Sequence, residues 1–110
     1  MELIISAPEQ SGAPSTLAIS GVLDQNSITH DFWKTIAQSQ QQVLTQSKVL
    51  EVDLKEVIRA DTSGLAWLLN MVKDLSKSQV EVRFSNIPDK LQNLAALSGA
   101  QTLLRPSSLA

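Results

Sequence analysis

The sequence predicts an α/β fold, a mixed and mostly parallel β-sheet covered by helices, and three observations carry that prediction. Short apolar segments of strand length take turns with segments whose apolar residues recur at helical spacing, an order that implies parallel pairing through right-handed crossovers. The first two strand-like segments are joined by a loop of Pro, Gly and Ser instead of a helix, which adds one antiparallel pair. A length of 110 residues with 43% hydrophobic content suits one domain, 1–110, and leaves no room for a second.

Each element has its own signal. Met1 to Ser6 is a short apolar strand, and Ala7 to Ser15, "APEQSGAPS", is a surface loop. Thr16 to Leu23 places Leu17, Ile19 and Val22 among small polar residues and forms the second strand of a loose hairpin. From Ile28 to about Gln46, residues Ile28, Phe32, Ile36 and Val43 fall along one side at helical spacing while the glutamines face water. Trp33 borders that stripe, and His30 reads as a surface residue. Lys48 to Leu54, "KVLEVDL", has the pattern of a central strand. Ser63 to about Lys77 is the clearest helix, with Leu65, Leu68, Leu69, Val72 and Leu75 on one stripe. Val80, Val82 and Phe84 alternate with Glu81 and Arg83 as a strand with one wet face. Pro88 at the first helical position and Gly99 past the end bracket a last helix carrying Leu91, Leu94, Ala95 and Leu97. Leu103 and Leu104 suit a short final strand within a partly fraying tail, 102–110.

Composition excludes several classes of function. A net charge of −2, with acids and bases mixed, lacks the basic footprint of a nucleic-acid binder or a polybasic membrane anchor. The start "MELIISAPEQ" has no basic n-region, and no segment approaches the roughly 20 apolar residues of a membrane span, so a cytoplasmic protein without direct membrane insertion is expected. With no cysteine and one histidine, thiol chemistry and Cys- or His-rich metal sites are absent. Asp24, Asp53, Glu56 and Asp61 stand in separate segments without metal-ligand spacing. No cofactor is implied, because neither a phosphate loop nor a dinucleotide fingerprint occurs.

One stretch draws attention, "VIRADTSGLAWLL" from Val57 to Leu69. Asp61 or Thr62 is a good N-cap, because a short side-chain oxygen accepts from the orphan N–H groups of a first turn. Capping alone does not call for Gly64, which lowers helix propensity but admits the close approach of another chain segment. Thr62 then sits at a helix N-terminus, where a phosphoryl group or a partner's acidic residue is tolerated. Catalysis is disfavoured: Ser63 interrupts the Asp-Thr-Gly of an aspartic protease and lacks the upstream Gly and downstream His of a nucleophile elbow. With the leucine stripe facing the core, Trp67 and Met71 are expected on the opposite side beside Asn70 and Asp74. There they are either covered by a loop or the tail, or form a docking patch of residue types enriched at interfaces.

With strand, turn and helix in this order, Asp61-Thr62-Ser63-Gly64-Leu65 after "LEVDLKEVIRA" resembles the STAS family, named for sulphate transporters and anti-sigma factor antagonists. The resemblance spans most of the chain and implies the STAS fold. "ISGVLDQ" from Ile19 to Gln25, Trp33, "VDL" from Val52 to Leu54 and "ADTSGLAWLL" look like the branch that supplies the STAS subunit of the Mla phospholipid-transport ABC complex of Gram-negative bacteria. That likeness implies a non-enzymatic subunit, cytoplasmic and peripheral to the inner membrane. Its partner would be the transporter ATPase, and through it the permease complex, in the service of outer-membrane lipid asymmetry. Carried over by position, the partner-binding residues are Asp61, Thr62, Ser63, Gly64, Trp67, Asn70 and Met71. The alternative within the family is an anti-sigma factor antagonist in which Thr62 is the phosphoacceptor.

Overall fold

The computed structural model describes residues 2–6, 14–24 and 38–100. Residues 7–13 of the expected loop, the helix start with His30, Phe32, Trp33 and Ile36, and the final strand and tail over 102–110 lie outside the described residues, while Ser15, expected to close the loop, is the first residue of the second strand. Four strands, β1 (Glu2–Ser6), β2 (Ser15–Leu23), β3 (Val49–Ala60) and β4 (Glu81–Ser85), make one sheet in the order β1-β2-β3-β4. β1 runs antiparallel to β2, from Glu2↔Ser20 to Ser6↔Thr16, whereas β2–β3 and β3–β4 are parallel. The mixed, mostly parallel sheet expected from the sequence is therefore present. Helices α1 (Gln38–Ser47), α2 (Thr62–Lys77) and α3 (Asp89–Leu97) accompany it.

Alternation along the strands decides which face the helices cover. Leu17, Ile19 and Leu23 of β2, Leu50, Val52 and Leu54 of β3, and Val82 and Phe84 of β4 are buried and share one cluster with Leu44, Leu68, Leu75 and Leu91 from the helices. The opposite face carries the cross-strand rows Ile4–Ala18–Asp53–Ser85 and Ser6–Thr16–Glu51–Arg83. The Arg83 guanidinium donates to Glu81 at 2.9 Å on that polar face. In α1 the residue sent to the core is Leu44, with Val43 only half-buried, so the helix end is turned one residue from the stripe read in the sequence. Its last turn is fixed to β2 by a hydrogen bond between the Ser15 and Ser47 hydroxyls, and Ser47 also bonds the Val43 carbonyl at 2.8 Å.

β3 is longer than its pattern suggested. Its pairing with β2 slips twice, between Ala18 and Ser20 and between Gly21 and Val22, so that β3 gains residues on its partner and reaches Ala60. Such bulges interrupt the two-residue period by which a strand is recognised, which is why the sequence pattern stops at Leu54. Two helix exits share one device. After α2, Gln79 takes φ +64 and its N–H donates to the Ser76 carbonyl, while Val80 N–H donates to Leu75. After α3, Gly99 takes φ +69 with Gly99 N–H to Ala96 and Ala100 N–H to Ala95. Both are left-handed caps that satisfy the orphan carbonyls of a helix end. Pro88 proves to be the N-cap of α3 rather than its first helical residue, and Leu97 is 86% exposed rather than part of the core stripe.

The largest correction concerns α2. Trp67 and Met71 are buried, at 3% and 0% exposure, and belong to the core, while Leu69 and Val72 are half-buried at its margin. The apolar arc is wider than a leucine stripe. At about 100° per residue Met71 stands roughly 60° from Leu68 and 40° from Leu75, and Trp67 roughly 40° beyond Met71. An arc centred on Leu68 and Leu75 thus takes in both. Among the described residues no helix is long and apolar enough to cross a membrane.

Candidate functional site

The turn between β3 and α2 is held by three short-range bonds. Asp61 is the N-cap, in extended conformation, and its Oδ1 accepts from Gly64 N–H at 3.1 Å while its carbonyl accepts from Leu65 N–H at 3.0 Å. Asp61 N–H itself donates to the Leu23 carbonyl at 3.1 Å, so the cap is pinned to the end of β2. Gly64 is buried against the same residue. A Cβ there would overlap the Leu23 carbonyl oxygen and stand 2.8 Å from Leu23 Cβ. The glycine is required because the first turn of α2 presses onto β2, the close approach that its presence in the sequence suggested.

With Asp61 spent on the cap and Gly64 on packing, Thr62 is left exposed at the first position of α2 and Ser63 half-buried. Helix geometry leaves the first N–H groups without intrahelical partners and gives that end a partial positive charge. The exposed side of α2 then runs through Ala66, Asn70 and Lys73. It continues into a cleft of about 710 Å³ lined by Leu69, Val72, Lys73 and Ser76 of α2, by Val80 just before β4 and by Val82 within it. Of the seven residues expected to bind a partner, Asp61, Thr62, Ser63 and Asn70 lie on or at the margin of this surface. Gly64, Trp67 and Met71 are turned into the protein. The docking patch expected at Trp67 and Met71 is therefore not a surface.

Asp53 and Asp24 have structural partners. Asp53 Oδ1 accepts from Asn86 Nδ2 at 3.0 Å and from Lys55 N–H at 2.9 Å, which ties β3 to the exit of β4. Asp24 lies 3.7 Å from the Arg59 guanidinium across the ends of β2 and β3. Among the described residues no group of three or more His, Cys, Asp or Glu side chains is arranged to hold a metal ion. The arrangement offers a surface rather than a chamber: an exposed hydroxyl on a capped helix start, beside the carboxyl ends of parallel strands. Missed in the sequence was Ile58, next to this turn and 83% exposed, because the bulges that turn it outward leave no periodic signal.

Residues 6–106 match the family described as Mlab, STAS domain. Over 83 residues, 74% of the chain, the sequence is 36% identical to the intermembrane phospholipid transport system binding protein MlaB of Escherichia coli (strain K12), 77% of which is covered. The same figures hold for the protein of that name in Shigella flexneri. Among solved structures the fold is similar to that of the unphosphorylated anti-sigma factor antagonist SpoIIAA. That match has a TM-score of 0.63 and 11% identity, and covers 97% of this chain and 89% of that one. An anti-sigma factor antagonist from Mycobacterium paratuberculosis matches with the same TM-score at 18% identity, over 97% and 88% of the two chains.

Proposed function

The chain belongs to the STAS-domain family, within the branch described as Mlab, and from that membership we propose that it is a binding subunit of an intermembrane phospholipid transport system. In this reading it catalyses nothing itself. It docks on the ATPase of the transporter at the inner membrane through Thr62, Ser63 and Asn70, with Asp61 holding the helix start in place, and it stabilises and activates that ATPase. The observation that carries the reading is Thr62: in a chain 36% identical to a phospholipid-transport binding protein, the family's signature hydroxyl is exposed on a turn fixed by Asp61 and Gly64. A surface so fixed is pre-organised, and little conformational freedom is lost when a partner covers it.

Co-purification tests the proposal. A tagged chain recovered from native membranes should bring an ABC-transporter ATPase and its permease. Recovery of a kinase-like anti-sigma factor instead would replace it. That second reading, an antagonist switched by phosphorylation, is favoured by the same exposed Thr62, since a phosphoryl group at a helix N-terminus meets a favourable dipole. The two readings part at the unmodified protein. A switch needs Thr62 only as an acceptor of phosphate, whereas a docking subunit needs its hydroxyl and its small volume in the contact.

A further inference from the structure

We infer that the outer edge of β4 is a docking site for a segment of this chain itself: residues 101–105, "QTLLR", lie along it as a fifth, parallel strand. The direction of one hydrogen bond sets which way β4 faces. Glu81 N–H donates to the Lys48 carbonyl at 2.8 Å, so Glu81 turns its main-chain groups toward β3. The β3–β4 register is unbroken and main-chain direction alternates along a strand, so Arg83 and Ser85 do the same while Val82 and Phe84 turn theirs to the far side. β4 is the last of the described strands in the sheet. Yet Val82 and Phe84 are 3% and 1% exposed, side chain and main chain together. Buried N–H and C=O groups are paired in native structures, so a partner lies beyond β4. α3 does not supply it, because it packs on α2 and its buried side chains, Leu91 and Ala95, are apolar.

Topology selects the segment. From β2 to β3 through α1 and from β3 to β4 through α2, the chain takes parallel steps in one direction across the sheet. α3 lies on the same face as those helices, since Leu91 and Ala95 join the cluster that contains Leu44, Leu68 and Leu75. A third crossover of the same right hand on that face sets the next strand beside β4, on its outer side. The exit from α3 also repeats the exit from α2: Ala100 N–H donates to the Ala95 carbonyl at 2.7 Å as Val80 N–H does to the Leu75 carbonyl at 2.9 Å, and both Ala100 and Val80 are buried. Glu81 begins β4 directly after Val80, so Gln101 begins its neighbour directly after Ala100. Counted from there, Leu104 takes the place that Phe84 has in β4 and faces the core, while Leu103 and Arg105 turn their main-chain groups to β4. The family match extends to residue 106 and so includes this segment, and Pro106, which has no N–H to give a ladder, ends it.

Amide hydrogen exchange, followed residue by residue by NMR on the full chain, tests this, with thermal melting of two variants beside it. The Val82 and Phe84 amides should exchange as slowly as that of Arg83, which faces β3. The Leu103 and Arg105 amides should exchange roughly tenfold or more slowly than those of Thr102 and Leu104, which face outward. Leu104→Ala should lower the melting temperature by roughly 8 °C or more, and Leu103→Ala by no more than about 3 °C. Fast exchange at Val82 and Phe84, or uniformly fast exchange from 101 to 105, would overturn the inference, as would a Leu104→Ala protein that melts with the parent. If Leu104→Ala does not fold, the exchange pattern of the parent decides alone. Protection of Val82 and Phe84 that disappears on dilution would mean that a second copy of this chain holds the edge, and the inference falls in that case too. None of these outcomes depends on the docking role proposed above.

Discussion

Gly64 rests on Leu23. The first turn of α2 lies so close to the end of β2 that a side-chain carbon on Gly64 would stand 2.8 Å from Leu23 Cβ, while the Leu23 carbonyl accepts the Asp61 N–H at 3.1 Å. One residue of β2 thus fixes both the cap and the first buried position of the helix that presents Thr62. Gly64→Ala should therefore destabilise the fold by about 1–3 kcal/mol, the usual cost of overpacking, even though Ala is the better helix former by about 1 kcal/mol. Urea unfolding measures this, and an unchanged midpoint would mean that the two elements are free to part.

Asp61 should act through its side-chain oxygen. Asp61→Ala removes the bond to Gly64 N–H and should cost about 0.5–2 kcal/mol, whereas Asp61→Asn, which keeps an acceptor, should lose much less. Equal losses in the two variants, compared by denaturant melts, would show that charge rather than capping holds the turn.

Trp67 should be a stability residue. Its burial at 3% predicts a cost of about 3–5 kcal/mol for Trp67→Ala, comparable with the 2–5 kcal/mol of Leu68→Ala, while Asn70→Ala on the exposed side should stay within about 0.5 kcal/mol of the parent. Calorimetric melting of the three variants checks the order. A Trp67→Ala protein as stable as the parent would return Trp67 to the surface.

Gln79 occupies a position that favours glycine. A left-handed residue with a side chain is strained by about 1–2 kcal/mol, and Gly in its place gives back about 0.4–1 kcal/mol through the freer unfolded chain. Gln79→Gly should thus stabilise by roughly 0.5 kcal/mol, read as a higher urea midpoint at unchanged slope. A lower midpoint would mean that the Gln79 side chain contributes packing that outweighs the strain.

What was legible in the sequence divides along physical lines. β4 could be read because one of its faces is wet, so Val80, Val82 and Phe84 stand out against Glu81 and Arg83. The cap and the close approach at Gly64 could be read because Asp and Gly are chosen there for backbone reasons, which are local. Ile58 could not, since a bulge is a property of two strands together. Trp67 and Met71 were placed wrongly because a helix laid across a sheet buries more than a leucine stripe, and its width depends on what it packs against. The left-handed exit at Gln79 carries no glycine to announce it.

The affinity of folded Thr62 variants for the transporter ATPase tests the central claim most directly. A hydroxyl that bonds the partner leaves an unpaired group behind when removed, at about 1–3 kcal/mol, so Thr62→Ala should bind roughly 5- to 150-fold more weakly than the parent. Thr62→Asp, whose carboxylate suits the helix start but not a close contact, should bind at least as poorly, and both variants should melt with the parent because the side chain is exposed. Parent-like binding by Thr62→Ala and Thr62→Asp alike would contradict the docking account, and full binding by Thr62→Ala with loss only in Thr62→Asp would replace it with a phosphorylation switch.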